Sequence, residues 1–104
     1  MPRIAFKMKI KPGLRDEYKK RHDEIWPELK ELLKRSGISE YSIFLDKPTG
    51  DLFAVLDVTD TQKLDNLRQE EVMQRWWSYM ADISETNDDH SPVTIPLEQV
   101  FYLR

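Results

Sequence analysis

Two side chains in this sequence, His22 and His90, have ordinary pKa values near ~6.5 and change charge close to neutral pH, the property that general acid–base chemistry most often uses. His22 lies between Tyr18 and Trp26 at i, i+4 spacing, which sets the three on one side of a helix. Two readings fit His22: a half-buried histidine satisfied by a neighbour, or a proton-transfer group. Tyr18 adds a second polar-tipped aromatic on that side, so that the pair offers donors and acceptors to one cavity. Trp76-Trp77 is a second constellation. Adjacent helical residues point about 100° apart, so a core position for Trp76 turns Trp77 toward an edge or cleft. An indole there is either core or dimer packing, or a platform for the C–H face of a sugar ring whose hydroxyls stay free for hydrogen bonds. Tyr41, at the start of a strand, is an ordinary strand aromatic or a phenol pointing into the same pocket.

Other chemistry has little to draw on. The absence of cysteine removes disulfides, thiolate metal sites and thiol nucleophiles, and fits a reducing compartment. Asn87-Asp88-Asp89-His90 has metal-ligand residue types, but four consecutive side chains do not converge easily on one ion, and no His pair at ligand spacing supports them. With 3 glycines the chain holds no glycine-rich phosphate loop and no Gly-x-Ser-x-Gly. No metal and no nucleotide cofactor are expected.

The elements that must position these residues are legible from periodicity. Arg3 to Lys11 alternates, with Ile4, Phe6, Met8 and Ile10 on one face, the pattern of a half-buried strand. After Pro12-Gly13, the residues Leu14, Tyr18, His22, Ile25, Leu29, Leu32 and Leu33 fall on one helical stripe that runs to Ser36. Pro27 predicts a kink or two abutting helices within it, and Gly37 ends it. Tyr41–Asp46 and Leu52–Val58 flank Lys47-Pro48-Thr49-Gly50 and pair as a hairpin. The unbroken apolar run Leu52 to Leu56 predicts a central strand covered on both faces. Thr59-x-x-Gln62 reads as a capping box for a short helix, and Glu70 to Ile83 as a helix with Val72, Met73, Trp76 and Met80 inward. Residues 85–96 read as a long loop and Leu97 to Leu103 as a last strand. The order β-α-β-β-α-β is that of a ferredoxin-like α+β subunit, an antiparallel sheet with helices on one face. The other face then needs a cover, and a homodimer packed sheet to sheet supplies it.

Composition agrees with one domain over residues 1–104, with 39% hydrophobic residues, 11% aromatics and 3 tryptophans. A net charge of -3 argues against nucleic acid. No run approaches the ~20 apolar residues of a membrane span, and the N-terminus interleaves charge with apolar residues, so a cytoplasmic protein without membrane partners is expected.

Taken together, Glu17-Tyr18, Arg21-His22, Ile25-Trp26-Pro27-Glu28-Leu29, Gln74-Arg75-Trp76-Trp77, Ser91-Pro92-Val93 and Val100-Phe101-Tyr102-Leu103 resemble the L-rhamnose mutarotase family, essentially from end to end. The resemblance implies a dimeric α/β barrel of ferredoxin-like subunits and an isomerase that interconverts the α and β anomers of L-rhamnose. It also implies that His22 is the acid/base residue and that Tyr18, Tyr41, Trp76 and Trp77 contact the sugar. His90 lies where the family would not require a histidine and receives no role. Anomer exchange suits so sparse a site. The ring oxygen must gain a proton and the anomeric hydroxyl lose one, while no leaving group departs, so the carboxylate pair of a glycosidase is not needed. One histidine serves the ring oxygen and water or Tyr18 the anomeric proton. Two other readings compete: a non-catalytic sugar-binding or dimerisation module, and a cofactor-independent monooxygenase or haem-handling enzyme on the same scaffold.

Overall fold

The computed structural model of the chain describes residues 2–104. Its elements are β1 (Arg3–Lys9), α1 (Arg15–Asp23), α2 (Pro27–Arg35), β2 (Ile38–Asp46), β3 (Asp51–Val58), α3 (Thr61–Leu67), α4 (Glu71–Met80) and β4 (Ile95–Leu97). The sheet has the order β2-β3-β1-β4, and every neighbouring pair is antiparallel. This is the ferredoxin-like arrangement expected of β-α-β-β-α-β.

Side-chain alternation divides the sheet into two unlike faces. Ile4, Phe6 and Met8 oppose Leu56, Ala54 and Leu52, so β1 and β3 turn the same residue set toward the helices. On β3 that set ends in Val58 and is buried throughout, whereas Phe53 and Val55 on the other face are only half-buried. The central position of β3 is therefore as expected, but the subunit itself covers one face only. The outer face also carries Phe44, Ile95 and Leu97, all exposed. On the helix side, Leu29 and Leu32 of α2 meet Trp76 and Met80 of α4, with Ile83 just beyond that helix.

The long apolar stripe after Pro12-Gly13 resolves into two helices. Pro27 is the first residue of α2, where its missing N–H costs nothing, and Trp26 before it is extended at φ -58°, ψ 132°. The Trp26 carbonyl then accepts from the N–H groups of Leu29 and Lys30. The cap of α3 also differs from the expected box. Asp60, not Thr59, is the N-cap and accepts from the Gln62 N–H at 2.9 Å, while the Thr59 N–H donates to the Gly37 carbonyl at 3.1 Å. Helix α4 stops at Met80, and Ile83 reaches the core through a turn that its N–H closes on the Met80 carbonyl.

Two expectations for the C-terminal region need correction. Residues 85–96 are not one open loop: Thr86 bridges Pro92, the Asn87 N–H donates to the Ser91 carbonyl, and β4 begins at Ile95. The last strand is Ile95–Leu97 and does not extend over Leu97 to Leu103. Since Leu97 pairs with Ala5, an antiparallel continuation runs past the start of β1 at Arg3 within two further residues and has no ladder left to join. Val100, Phe101, Tyr102 and Leu103 are consequently exposed.

Gly37 joins α2 to β2 at φ +83°, and a Cβ there would run into the Thr59 hydroxyl. Gly13 has a similar φ of +78° but open space around it. Gly37→Ala is expected to lower stability by about 1–3 kcal/mol and Gly13→Ala by about 1 kcal/mol, read from urea midpoints at constant slope.

Candidate active site

Helix α1 stands away from the sheet, because the break at Trp26-Pro27 lets α2 settle into the core independently. None of its residues is buried, yet it presents Tyr18 and His22 toward a cleft of about 890 Å³ between the helices and the inner sheet face. At one side of the cleft lies a recess walled by Tyr18, His22, Tyr41, Trp76, Trp77 and His90. The five residues singled out in the sequence for sugar chemistry thus come together from α1, β2 and α4.

The recess owes Tyr41 to a β-bulge. Ser39 pairs with Asp57 but Ser42 with Val55, so β2 holds one more residue than β3 across this interval. Glu40 takes the left-handed φ of 51° that such an insertion demands. The extra residue reverses the phase of the strand, and Tyr41, Ile43 and Leu45 share the inner face with Ile38 rather than opposing it.

His22 is tightly defined. Its Nδ1 lies 3.0 Å from the Tyr18 carbonyl oxygen, and since a carbonyl only accepts, Nδ1 carries the hydrogen. The neutral ring therefore keeps its lone pair on Nε2, on the side away from the α1 backbone. The imidazole stacks on Tyr18 with centroids 4.3 Å apart and meets Trp76 edge-on at 5.5 Å. Trp76 is braced from behind by Trp26 at 5.1 Å. Trp77, one position on, lines the cleft half-buried, with the Arg68 guanidinium 5.6 Å from its ring centre.

Burial dominates the electrostatics and acts in the same sense on every member. It lowers the pKa of His22, opposed by the hydrogen bond to the Tyr18 carbonyl and by Asp23. It raises that of Tyr18 beyond the usual phenol range, with Tyr41 adding to the shift, and pushes Tyr41 up to about 12. Tyr41 is nonetheless 40% exposed, because its phenol faces the open cleft, where water reaches it. Burial thus favours the neutral forms of the imidazole and of both phenols.

Sequence reasoning missed several groups at the cleft. Asp65 and Arg68 from the end of α3 line it beside Trp77, and Thr86 and Pro92 close the recess from the segment after α4. Only the proximity of two charges on α3 hinted at the first pair, and nothing local pointed to the second. His90, to which the sequence assigned no role, also borders the recess, its Nδ1 3.1 Å from the Ser78 hydroxyl. Among the described residues no group of three or more His, Asp or Glu side chains could hold a metal ion, and no helix is long and apolar enough to cross a membrane.

Comparison with known proteins follows the geometry closely. A family model described as L-rhamnose mutarotase matches residues 3–103. The chain is 52% identical over 103 residues to an L-rhamnose mutarotase of Formosa agariphila, covering 99% of each chain. It is 55% identical to one of Mesorhizobium japonicum over 97% of this chain and 96% of the relative. The crystal structure of an L-rhamnose mutarotase from Formosa agariphila superposes with a TM-score of 0.94 at 51% identity, covering both chains completely. An antibiotic biosynthesis monooxygenase matches at 17% identity, a TM-score of 0.53 and 96% coverage of this chain, a likeness of fold alone.

The lowered pKa of His22 has a stability consequence with a definite sign. Between the folded pKa and about 6.5 the unfolded chain binds a proton that the folded chain does not, so stability is complete above about 6.5 and declines as pH falls through the folded value. The His22 ring is expected to titrate by NMR with a midpoint below about 6.5. His22→Gln should remove that part of the acid-side loss in urea unfolding measured at successive pH values.

Proposed function

The chain belongs to the L-rhamnose mutarotase family, and on that premise we propose that it interconverts the α and β anomers of L-rhamnose, with His22 carrying the proton. The single observation behind this reading is the orientation of the imidazole, with Nδ1 tied to the Tyr18 carbonyl and Nε2 left as the free base of a ring that burial keeps neutral. Nε2 takes the proton from the anomeric hydroxyl O1. As the C1–O5 bond breaks, C1=O1 forms and the imidazolium gives the proton to O5, which is attached to the same carbon as O1. Rotation about C1–C2 presents the other face of the aldehyde. Nε2 then takes the proton back from O5, the C1–O5 bond re-forms and O1 is reprotonated. Proton count and charge balance without any cofactor.

Tyr18 and Tyr41, held protonated by burial, donate hydrogen bonds to the sugar oxygens at which charge develops. Trp77 takes the C–H face of the ring, and Trp76 holds the imidazole in plane with its target. Asp65 and Arg68 at the cleft offer partners for outlying hydroxyls, and the apolar inner sheet face suits the C6 methyl.

The reading extends to a single mutarotase domain over residues 1–104 acting in the cytoplasm as a homodimer packed sheet to sheet. The exposed Phe44, Ile95 and Leu97 on the outer face and the exposed tail residues Val100, Phe101 and Leu103 support the dimer, since they are apolar side chains that a second copy would bury.

Saturation-transfer NMR on L-rhamnose tests the proposal. His22→Ala is expected to lose roughly 10² to 10⁴ of the protein-catalysed exchange rate. Trp77→Ala should raise the sugar concentration needed for half-maximal exchange more than it lowers the limiting rate. Equal exchange with wild type, His22→Ala and buffer would leave a non-catalytic module as the better account.

A further inference from the structure

The helix that carries Tyr18 and His22 has little of its own to hold it. None of its residues is buried, Tyr18 packs on the core only in part, and its backbone makes no broad approach to another element such as α2 makes to α4 and β2. A site that transfers a proton nonetheless needs its base held to within a fraction of an ångström. Whatever fixes α1 therefore fixes the chemistry.

Arg21, beside His22, supplies the connection. Its Nη1 donates to the Tyr79 carbonyl at 2.7 Å and to Asp82 Oδ1 at 2.9 Å, its Nη2 to Asp82 Oδ2 at 3.2 Å, and its Nε to Glu17 Oε2 at 2.8 Å. Four of its five N–H groups are thus engaged, and its side chain is 10% exposed. The guanidinium also lies 4.3 Å above the Tyr79 ring. Tyr79 in turn touches both Trp26 and Trp76, with centroids 5.5 and 5.7 Å away. Tyr79 lies in the last turn of α4, the helix of Trp76 and Trp77, and Asp82 in the turn just beyond its end. Arg21 is absent from the walls of the cleft and the recess, so it does not itself face the ligand. An exposed ion pair contributes about 0–1 kcal/mol, but a forked pair shielded on one side and anchored to a main-chain carbonyl fixes orientation as well as distance.

We propose that Arg21 and Asp82 form a clamp that joins the two helices of the site and sets His22 against Trp76, making Arg21 a positioning residue of the proton-transfer site. This rests on His22 being the proton carrier, as argued above. The planar fork is essential to it, because a lysine ammonium is a point charge that cannot bridge both carboxylate oxygens and the Tyr79 carbonyl together. Glu17, one turn before, keeps the guanidinium from rotating out of register.

The test compares wild type, His22→Ala, Arg21→Lys, Asp82→Asn and Asp82→Glu as full chains, by saturation-transfer NMR on L-rhamnose and by the pH titration of the His22 ring. Tyr18, Tyr41 and His90 also face the ring from the recess, so none of them is altered. Arg21→Lys is expected to lower the limiting exchange rate about tenfold while the half-saturating sugar concentration changes less than about threefold, as a loss of alignment requires. The His22 titration midpoint should rise toward about 6.5 as water reaches a less firmly held ring. Asp82→Asn should move both readouts the same way to a smaller extent, and Asp82→Glu, which keeps the charge, should recover part of the loss. Because Asp82 is 67% exposed, its variants remain informative if Arg21→Lys does not fold. The clamp is overturned if folded Asp82→Asn keeps the wild-type limiting rate and His22 midpoint, or if the variants lose only thermal stability. Identical exchange in wild type and His22→Ala would instead remove the proton-transfer reading on which the clamp depends, so the two failures are distinct.

Discussion

Pro27 has no N–H to give, and its ring cannot share space with the carbonyl one turn earlier in a continuing helix, so the chain must leave helical geometry at Trp26. Nearly everything about the site follows from that break. A continuous helix from Leu14 to Ser36 would have to choose one line of approach to the sheet. Two helices approach differently: α2 drives Leu29 and Leu32 into contact with Trp76 and Met80, while α1 remains apart and leaves a cleft open above Phe6, Met8 and Leu52. Trp26, forced into an extended conformation, becomes the brace behind Trp76. The core and the cavity are therefore two outcomes of one residue's inability to donate a hydrogen bond.

The electrostatic character of the cleft matches an uncharged ligand. Desolvation favours the neutral form of each ionisable group in the recess whose titration it perturbs, lowering His22 and raising Tyr18 and Tyr41. Lys19, Asp23, Asp65 and Arg68 line the wider cleft, and Lys9, an exposed residue at the end of β1, reaches the edge of the recess. Polar atoms facing a neutral sugar need to be good donors and acceptors more than they need to be ions, and ions buried there would have to be desolvated with no opposite charge on the ligand to offset the penalty.

How much of this is legible in sequence depends on whether the cause is local. The strand β1, the hairpin of β2 and β3, and the break at Pro27 all follow from patterns within a few residues, and so does the grouping of Tyr18 with His22 on one helical turn. The position of Tyr41 does not, since its face is decided by the bulge at Glu40, and a bulge exists only relative to a neighbouring strand. The same holds for β4, which is cut short because β1 runs out of partners, and for Thr59, whose N–H joins the Gly37 carbonyl while Asp60 caps the helix. The contributions of Asp65, Arg68 and Arg21 come from tertiary proximity between elements distant in sequence. Local rules thus single out the aromatics of the recess, whereas their mutual orientation arises from the ladder and from side chains that no periodicity marks.

The bulge at Glu40 gives the site an unusual dependence on parity. A β-strand assigns its residues to faces by odd and even count, so what brings Tyr41 inward is the number of residues between it and Ile38 more than their identity. Ser39 is exposed and can be exchanged for many other residues without moving the phenol, whereas Glu40, exposed but held at φ 51°, best accepts Gly, Asn or Asp. The loss or gain of one codon there would exchange inner for outer over the rest of β2, carrying Phe44 into the cleft and Tyr41 out of it. An in-frame genetic change usually regarded as mild would thereby rebuild one wall of the cleft, while a radical substitution at Ser39 would pass almost unnoticed.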